Sequence, residues 1–210
     1  MPNSLICAHA GAENTPPNTL ESLALLMPSG ADLVEVDLRR ARDGDLVLCH
    51  DKPEKGGEYA TFPEALRLLA RTPGAGLNVD VKEPGIIFQA WEIVKQQGLQ
   101  ARVIFTGDVS REEADETQKT GLPLWINQCR LPITQWPNAH LAAREQGFAM
   151  LNIDWRRLNE RMLAAAPERL SVWTVNNEEK LRELLALGVG SITTREPLLA
   201  LRLRREIQGT

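Results

Sequence analysis

Short apolar runs alternate with longer amphipathic stretches along the whole chain. Eight runs have the length and composition of strands, and they cover residues 4–9, 33–38, 77–82, 102–106, 123–127, 149–153, 170–175 and 190–194. The stretches between them carry apolar residues at helical spacing, and they cover residues 18–27, 61–72, 88–98, 110–120, 138–147, 157–166, 177–187 and 197–207. Such alternation predicts parallel strands joined by crossover helices. Asn18 or Thr19 is a possible cap of the first helix, and Thr61 with Glu64 is a recognisable start of the second.

Eight strand–helix units in one chain predict an α/β fold of the (β/α)8 TIM-barrel type. The barrel would be compact, because the chain has 210 residues and about 250 is typical. A doubly wound open sheet is the alternative, but no GxGxxG loop follows the first strand, which counts against a dinucleotide-binding fold. No linker or low-complexity stretch divides the chain, so residues 1–210 are expected to form a single domain.

One unit departs from this alternation. After the run at 33–38, Asp43 and Gly44 form a strong hairpin-turn signal, and residues 45–50 are typical of a short returning strand. The hairpin would bring His50 back beside the acids of the preceding strand.

Composition and charge narrow the function only a little. The chain is 43% hydrophobic and 25% charged, with a formal net charge of -4 and a pI of about 5.5. No nucleic-acid partner is expected, because the sequence has no basic stripe that could displace counterions from phosphates. The cluster of Arg202, Arg204 and Arg205 is interpreted as a solvated helix face.

Cysteine usage and the absence of targeting signals favour a cytoplasmic protein. Cys7, Cys49 and Cys129 lack CxxC spacing, so no disulfide framework is expected, and Cys7 and Cys49 are interpreted as core residues. The sequence shows neither a signal peptide nor a run of the ~20 apolar residues that a membrane span needs. A homo-oligomer is compatible with the fold, but no feature of the sequence marks an interface.

Polar residues lie where the predicted strands end, and barrel enzymes carry their sites at those ends. Glu35 and Asp37 share one face of the second strand, because successive side chains in a strand alternate. Asp80 on the next strand would complete a set of oxygen ligands that suits Mg²⁺ or Ca²⁺. Lys82 would neutralise part of this charge or hold an anionic substrate group. A layer of salt bridges at the barrel mouth is the alternative interpretation.

Two of the three histidines, His9 and His50, flank these acids. Because histidine is the commonest general acid or base, two of them beside a metal favour a reaction in which one proton is taken and one is given. A structural role for each is the alternative, and His140, in a predicted helix, is expected at the surface. The residues thus predict a metal-dependent enzyme with an anionic substrate, and they leave phosphodiester, sugar-phosphate and enolate chemistry open.

Several segments, in order and at matching spacing, resemble the glycerophosphodiester phosphodiesterases, a family of TIM barrels. The strongest is 30–51, which is similar to the family's Glu-x-Asp strand, Asp-Gly hairpin and His-Asp ending. Residues 8–11 and 16–22 resemble its His-Arg-Gly and Pro-Glu-Asn-Thr segments. Residues 77–84 resemble its third strand, and 172–197 resemble its Trp-Thr-Val-Asn segment and final strand.

The resemblance implies hydrolysis of a small-molecule glycerophosphodiester to glycerol phosphate and an alcohol. It also implies a divalent metal, either Mg²⁺ or Ca²⁺, with Mn²⁺ compatible as well. Finally, it implies a role for each polar strand-end residue: the metal ligands Glu35, Asp37 and Asp80, the acid–base pair His9 and His50, and the substrate contacts Lys82 and Trp173.

Four positions depart from the family's pattern. Ala10 stands in place of an arginine, Pro17 in place of a glutamate, Asp80 in place of a glutamate and Arg195 in place of an aspartate. Because Ala10 and Pro17 remove opposite charges, they favour a changed site over a decayed one, and Arg195 is expected to supply the charge that Ala10 lacks. A barrel that binds a phosphorylated ligand with little or no turnover is the alternative function. The family's insertion after the second strand block is short or absent at 52–62, which implies an open pocket.

Overall fold

The computed structural model describes residues 3–209 and confirms the predicted (β/α)8 barrel. These residues form nine strands, which in chain order are β1 (Leu5–Ala8), β2 (Leu33–Arg40), β3 (Leu46–Leu48), β4 (Gly76–Val81), β5 (Val103–Gly107), β6 (Ile126–Asn127), β7 (Leu151–Asp154), β8 (Leu170–Trp173) and β9 (Ser191–Thr194). All of them except β3 run parallel, and β3 is the predicted hairpin partner of β2.

Eight α-helices alternate with the parallel strands, as the hydrophobic periodicity predicts; seven of them connect strands, and the eighth follows β9. They are α1 (Leu20–Leu26), α2 (Phe62–Arg71), α3 (Ile87–Gln96), α4 (Arg111–Thr120), α5 (Ala139–Glu145), α6 (Glu160–Ala165), α7 (Glu178–Ala186) and α8 (Pro197–Gln208). Between β3 and α2, residues 49–60 form no helix or strand, so the expected insertion is short here. Within residues 3–209, no helix has both the length and the apolar character that crossing a bilayer requires.

The sheet closes into a barrel through a short seam. The strands are hydrogen-bonded in the order β5-β4-β2-β1-β9-β8-β7-β6, and β5 and β6 form the two ends of this order. Phe105 N donates to Pro123 O at 2.9 Å, and Trp125 N donates to Phe105 O at 2.9 Å, which joins these two ends. The strand predicted at 123–127 is therefore shorter than expected, because residues 123–125 make only this local bridge before β6 begins.

The inside of the barrel changes from apolar to polar along β2. Leu33 packs with Cys7 and Trp125 in a small apolar cluster. Glu35 and Asp37 follow on the same face, since side chains in a strand alternate. The intervening Val34 and Val36 belong to the main core, which also contains buried residues of the helices. Both faces of β2 are therefore covered, and its acids lie in the protein interior.

Helix-starting residues behave as the sequence predicts, with one informative exception. Thr61 and Glu64 form a reciprocal capping box at the start of α2. Thr19 caps α1 by accepting a hydrogen bond from Ser22 N at 3.1 Å. Asn18, the other candidate for that cap, does not cap α1, and its side chain bonds Asp37 instead.

Three sequence interpretations were wrong about burial. His140 lies in a helix as expected, but it is buried with an exposed fraction of only 6%, because α5 packs through the small residues Ala139, Ala142 and Ala143. Arg202 and Arg205 are exposed as expected, but Arg204 is not, since its Nη1 donates to Ser4 O at 3.0 Å. Cys49 is half-buried and lies outside the core, whereas Cys7 is fully buried as expected.

Gly107 is expected to be far less tolerant of alanine than Gly98. Both have positive φ, at 103° and 70° respectively, so alanine strains each backbone by about 1–2 kcal/mol. A Cβ at Gly107 would also collide with the backbone of Val81 and the carboxylate of Asp80, whereas a Cβ at Gly98 meets no atom within 4 Å. Urea unfolding should show a loss of roughly 3 kcal/mol or more for Gly107→Ala and about 1 kcal/mol for Gly98→Ala. Equal losses would contradict this packing.

Candidate active site

Three carboxylates converge inside the mouth of the barrel. Asp37 on β2 is paired in register with Asp80 on β4, and Glu35 lies one step deeper on the same face of β2. Oxygen atoms of the three side chains lie within 4.8 Å of one another. Glu35 and Asp37 are buried, with exposed fractions of 5% and 4%. Charges this close and this dry repel one another strongly, so they need a cation.

Lys82 supplies that positive charge from within the chain. Its Nζ lies 2.7 Å from Asp37 Oδ1 and 2.5 Å from Asp80 Oδ2. Burial alone would lower the pKa of Lys82, but Asp80 and Asp37 outweigh it and hold that pKa above its ordinary value. The ammonium group is therefore positive at any physiological pH.

The three acids differ in how readily they ionise. Burial raises the pKa of Glu35 well above its ordinary value, and the charges of Asp37 and Asp80 add to this effect. Burial also raises the pKa of Asp80, more than the charge of Lys82 lowers it. At Asp37 burial acts in the same direction, but Lys82 and a hydrogen bond from Asn18 outweigh it and lower the pKa. Asp37 is thus the most firmly ionised of the three.

Asn18 fixes Asp37 at two points. Its side-chain Nδ2 donates to Asp37 Oδ2 at 2.7 Å, and its Oδ1 accepts from Asp37 N at 2.9 Å. Asn18 has a φ of 60°, a left-handed conformation that asparagine tolerates better than most residues. Sequence reasoning treated Asn18 only as a possible helix cap, and its place in a turn before α1 was the available signal.

Ala10 contributes its backbone to the same cluster. Ala10 N donates to Glu35 Oε2 at 2.8 Å, and Ala10 O lies 2.7 Å from His9 Nδ1. The carbonyl can only accept, so His9 donates from Nδ1 and leaves Nε2 free. Burial lowers the pKa of His9, and the nearby charge of Arg195 lowers it further.

His50 sits at the rim and is far more exposed than His9. Its side chain is 69% exposed, and its Nδ1 lies 3.0 Å from Asp51 Oδ1. The hairpin of β2 and β3 returns the chain to this point, as the Asp-Gly turn predicts. Cys49 N donates to Asp37 O at 3.0 Å, which ties this loop to the strand that carries the acids.

A cavity of about 520 Å³ opens over these groups at the barrel mouth. It brings together all eight residues that the sequence singles out, which are His9, Glu35, Asp37, His50, Asp80, Lys82, Trp173 and Arg195. It is also lined by residues that the sequence reasoning missed, among them Arg39, Asn127 and Asn152. The rule of polar residues at strand ends could have found Asn127 on β6 and Asn152 on β7.

The donor chemistry of the acid cluster fits a divalent cation. Carboxylate oxygens are hard ligands of the kind that Mg²⁺ and Ca²⁺ prefer. Glu35, Asp37 and Asp80 can each offer one oxygen to a common centre, since these atoms lie within 4.8 Å of one another. The cluster could therefore hold a metal ion where the three carboxylates line the cavity.

Comparisons with known proteins point to one family. Residues 9–56 match the model of the glycerophosphoryl diester phosphodiesterase family. A glycerophosphodiester phosphodiesterase from Caldanaerobacter subterraneus subsp. tengcongensis is 24% identical over an alignment of 245 residues. The alignment covers 97% of this chain and 98% of that protein. The chain resembles the glycerophosphodiester phosphodiesterases.

Solved structures of that family share the fold of the whole chain. A glycerophosphodiester phosphodiesterase from Parabacteroides distasonis has a TM-score of 0.79 at 18% identity, and the match covers 99% of each chain. A phosphodiesterase from Oleispira antarctica, solved in complex with the product sn-glycerol-3-phosphate, has a TM-score of 0.77 at 18% identity and covers 96% of each chain. At this level of identity, the likeness confirms the barrel.

Removing the charge of Lys82 should cost the metal-free protein stability in a pH-dependent way. In EDTA at pH 7, Lys82→Met leaves Asp37 and Asp80 without their cation, and the expected loss is about 3 kcal/mol. The folded pKa of Asp37 lies below its ordinary 3.8, so its stabilising effect is present above that pH and is lost as the pH falls through the folded value. The deficit of the variant should therefore narrow as the solution is acidified towards and below pH 3.8.

Thermal melting from pH 7 down to pH 3 measures this deficit, and Lys119→Met is the matched control. Lys119 pairs with Glu116 at 2.8 Å on the exposed surface, so its loss should not change stability measurably. A deficit at Lys82 that stays constant with pH would contradict the ion-pair interpretation.

Proposed function

We propose that this chain is a metal-dependent phosphoric diester hydrolase that cleaves glycerophosphodiesters to glycerol phosphate and an alcohol. One observation carries the proposal: the acid cluster, Lys82 and both histidines line a single cavity. The likeness to glycerophosphodiester phosphodiesterases supports it, as does the small-molecule product bound to the relative from Oleispira antarctica.

The acid cluster is proposed as the metal site. Glu35, Asp37 and Asp80 would hold the ion, and Mg²⁺ or Ca²⁺ suits three carboxylates best, with Mn²⁺ compatible. When bound, such an ion polarises a phosphoryl oxygen and offsets the charge that develops in the transition state. Asn18 and Ala10 N orient two of the ligand carboxylates through their hydrogen bonds.

The two histidines are proposed as the acid–base pair. His9 Nδ1 faces the carbonyl of Ala10, and His50 Nδ1 faces the carboxylate of Asp51, so Nε2 is the nitrogen that each can use. One ring takes the proton of the attacking hydroxyl or water, and the other gives a proton to the leaving alkoxide. Their different burial gives the two rings different surroundings for these two tasks.

Three further residues are proposed to hold the substrate. Lys82 lies between the acids and the cavity and can bind a phosphate oxygen as well as neutralise the carboxylates. Trp173, with an exposed fraction of 39%, forms a wall of the cavity. Arg195 lines the same cavity, and its charge lowers the pKa of His9, the residue before Ala10. Arg195 is therefore proposed to supply the positive charge that Ala10 lacks.

A barrel that binds a phosphorylated ligand with little or no turnover is the second candidate. It is favoured by Ala10 and Pro17, because these positions lack charges that the family usually carries. The hydrolase is preferred because the acids and both histidines are all present around one cavity. A cytoplasmic location and the lack of a nucleic-acid partner stay predictions from the sequence.

Turnover of glycerophosphocholine and of bis-p-nitrophenyl phosphate with Mg²⁺, Mn²⁺ or Ca²⁺ tests the proposal directly. His50→Ala should lower kcat by about 10²–10⁴-fold, because it removes one proton-transfer step. EDTA should abolish turnover of the wild-type protein, and adding the metal back should restore it. Glycerol phosphate is measured as the product of the natural diester.

Lys55→Ala is the control for the loop that carries His50, because Lys55 is exposed in the same segment. Its activity should equal that of the wild type. Activity that survives both His50→Ala and EDTA would reject the proposed site. The second candidate would be favoured if the protein bound glycerol phosphate but showed no turnover with Mg²⁺, with Mn²⁺ or with Ca²⁺.

Arg195→Ala is expected to weaken anion binding selectively. The guanidinium contributes a charged contact to the phosphate, so KM should rise about tenfold while kcat changes little. Steady-state kinetics with glycerophosphocholine measure both constants. Arg202→Ala is the control, because Arg202 is exposed on α8 and should leave both unchanged. An unchanged KM for Arg195→Ala would refute this role.

A further inference from the structure

Arg39, near the end of β2, connects three segments at the barrel mouth. Its Nε donates to the backbone carbonyl of His50 at 2.7 Å. Its Nη1 lies 3.5 Å from Glu83 Oε2, just beyond the end of β4. The other carboxylate oxygen of Glu83 accepts from Arg40 N at 3.0 Å. The guanidinium is held in place from one side, and it holds His50 from the other.

Arg39 is mostly buried in this arrangement. Its side chain is only 15% exposed, and it lines the cavity together with Asp37, which shares its face of β2. A guanidinium donates through several N–H groups in a rigid plane, so one side chain can serve two partners at a fixed angle. Because the donor is charged, its hydrogen bond to the carbonyl is stronger than a bond between neutral groups.

The ring of His50 has little support of its own, although the bond from Cys49 N to Asp37 O also ties this loop to β2. Residues 49–60 form no helix or strand, and the ring of His50 is 69% exposed. Its partner Asp51 is 95% exposed, so this contact is open to solvent and weak. The orientation of the ring thus depends on where the backbone of His50 is held, and Arg39 grips the carbonyl of that same residue.

We propose that Arg39 is a positioning residue for His50, acting through the backbone carbonyl rather than through the substrate. The proposal rests on the proposed function, in which His50 exchanges a proton with the substrate. Misplacing a catalytic group by about 1 Å can cost 10²-fold in rate. Loss of the Arg39 bond would therefore lower kcat and leave the binding of substrate and metal in place.

Arg40 provides a matched control one residue further along the same strand. Its Nη2 donates to the backbone carbonyl of Gly85 at 2.7 Å and to Gln89 Oε1 at 3.1 Å. Like Arg39, it donates to the backbone carbonyl of a neighbouring segment, but that segment is the one after β4. Its side chain points to the opposite face of β2 and away from the cavity. A general loss of structure would affect both variants, whereas a positioning role affects only Arg39.

A double-mutant cycle tests the proposal with glycerophosphocholine and Mg²⁺. Arg39→Gln should lower kcat by about 10- to 100-fold with KM changed by less than about threefold, whereas Arg40→Gln should match the wild type. Arg39→Lys, which keeps the charge but not the planar fork, should lie between them. In a His50→Ala background, Arg39→Gln should cause no further loss, because the residue through which it acts is already gone.

Three kinetic results would overturn the proposal. A raised KM at unchanged kcat would make Arg39 a substrate contact. A further loss of activity on top of His50→Ala would show that it acts independently of His50. An unchanged kcat in Arg39→Gln, with the fold intact by thermal melting, would show that the bond is dispensable.

A second readout separates this inference from the proposed function. Absence of wild-type turnover with every metal would reject the hydrolase, and the position of His50 can still be followed in ¹H–¹³C NMR spectra of its ring. Arg39→Gln, or Arg39→Lys where the first variant does not fold, should shift or broaden the His50 signal, and Arg40→Gln should leave it unchanged. A His50 signal that does not respond to loss of Arg39 would overturn the positioning role.

Discussion

The ion pairs of Lys82 with Asp37 and Asp80 are the interaction on which the mouth of this barrel depends. Three carboxylates have oxygens within 4.8 Å of one another, and two of them are buried, so their charge must be offset if they are ionised. One ammonium offsets part of it, and hydrogen bonds from Asn18 and Ala10 N offset more. The remaining negative charge faces the cavity, where a divalent cation would complement it. The same contacts therefore limit the repulsion between the acids in the folded protein and leave negative charge at the cavity for a cation.

The barrel places this cluster where it does through strand register. Asp37 lies beside Asp80 because β2 and β4 are parallel neighbours, and Glu35 lies below them because strand side chains alternate. The apolar cluster of Leu33, Cys7 and Trp125 fills the interior on the same face, next to Glu35. Two neighbouring strands thus supply all three acids, which gives them the rigid support that a metal or catalytic site requires.

Sequence patterns predicted the parts of this structure that depend on local periodicity. The eight strand–helix units, the hairpin and the shared face of Glu35 and Asp37 all follow from spacings within a few residues. Asn18 was harder, because an asparagine before a helix is typical of a cap, and only the folded chain shows that it bonds Asp37 instead. The burial of His140 depends on how closely α5 approaches the barrel, which its own sequence does not specify.

The contact of Arg39 with His50 could not be predicted from the sequence for a related reason. It joins a strand to a loop without regular structure, and the path of such a loop is determined by tertiary contacts. Strand ends can be located from periodicity, so Glu35, Asp37 and Asp80 could be found. Periodicity does not locate the carbonyl groups of a loop. The hydrogen-bond partner of a long, flexible arginine side chain therefore cannot be identified until the fold is known.

The two most conspicuous departures from the family pattern leave the hydrogen bonds of the acid cluster intact. Ala10 serves the cluster through its backbone N–H, which bonds Glu35 whatever side chain it carries. The residue after Pro17 is Asn18, and its two bonds to Asp37 do not involve the proline. What these positions lack is charge that would face the proposed substrate, and Arg195 brings a guanidinium to that cavity. The acid cluster thus keeps its hydrogen bonds, and the cavity gains positive charge from the residue after β9. This combination favours altered substrate contacts over lost catalysis.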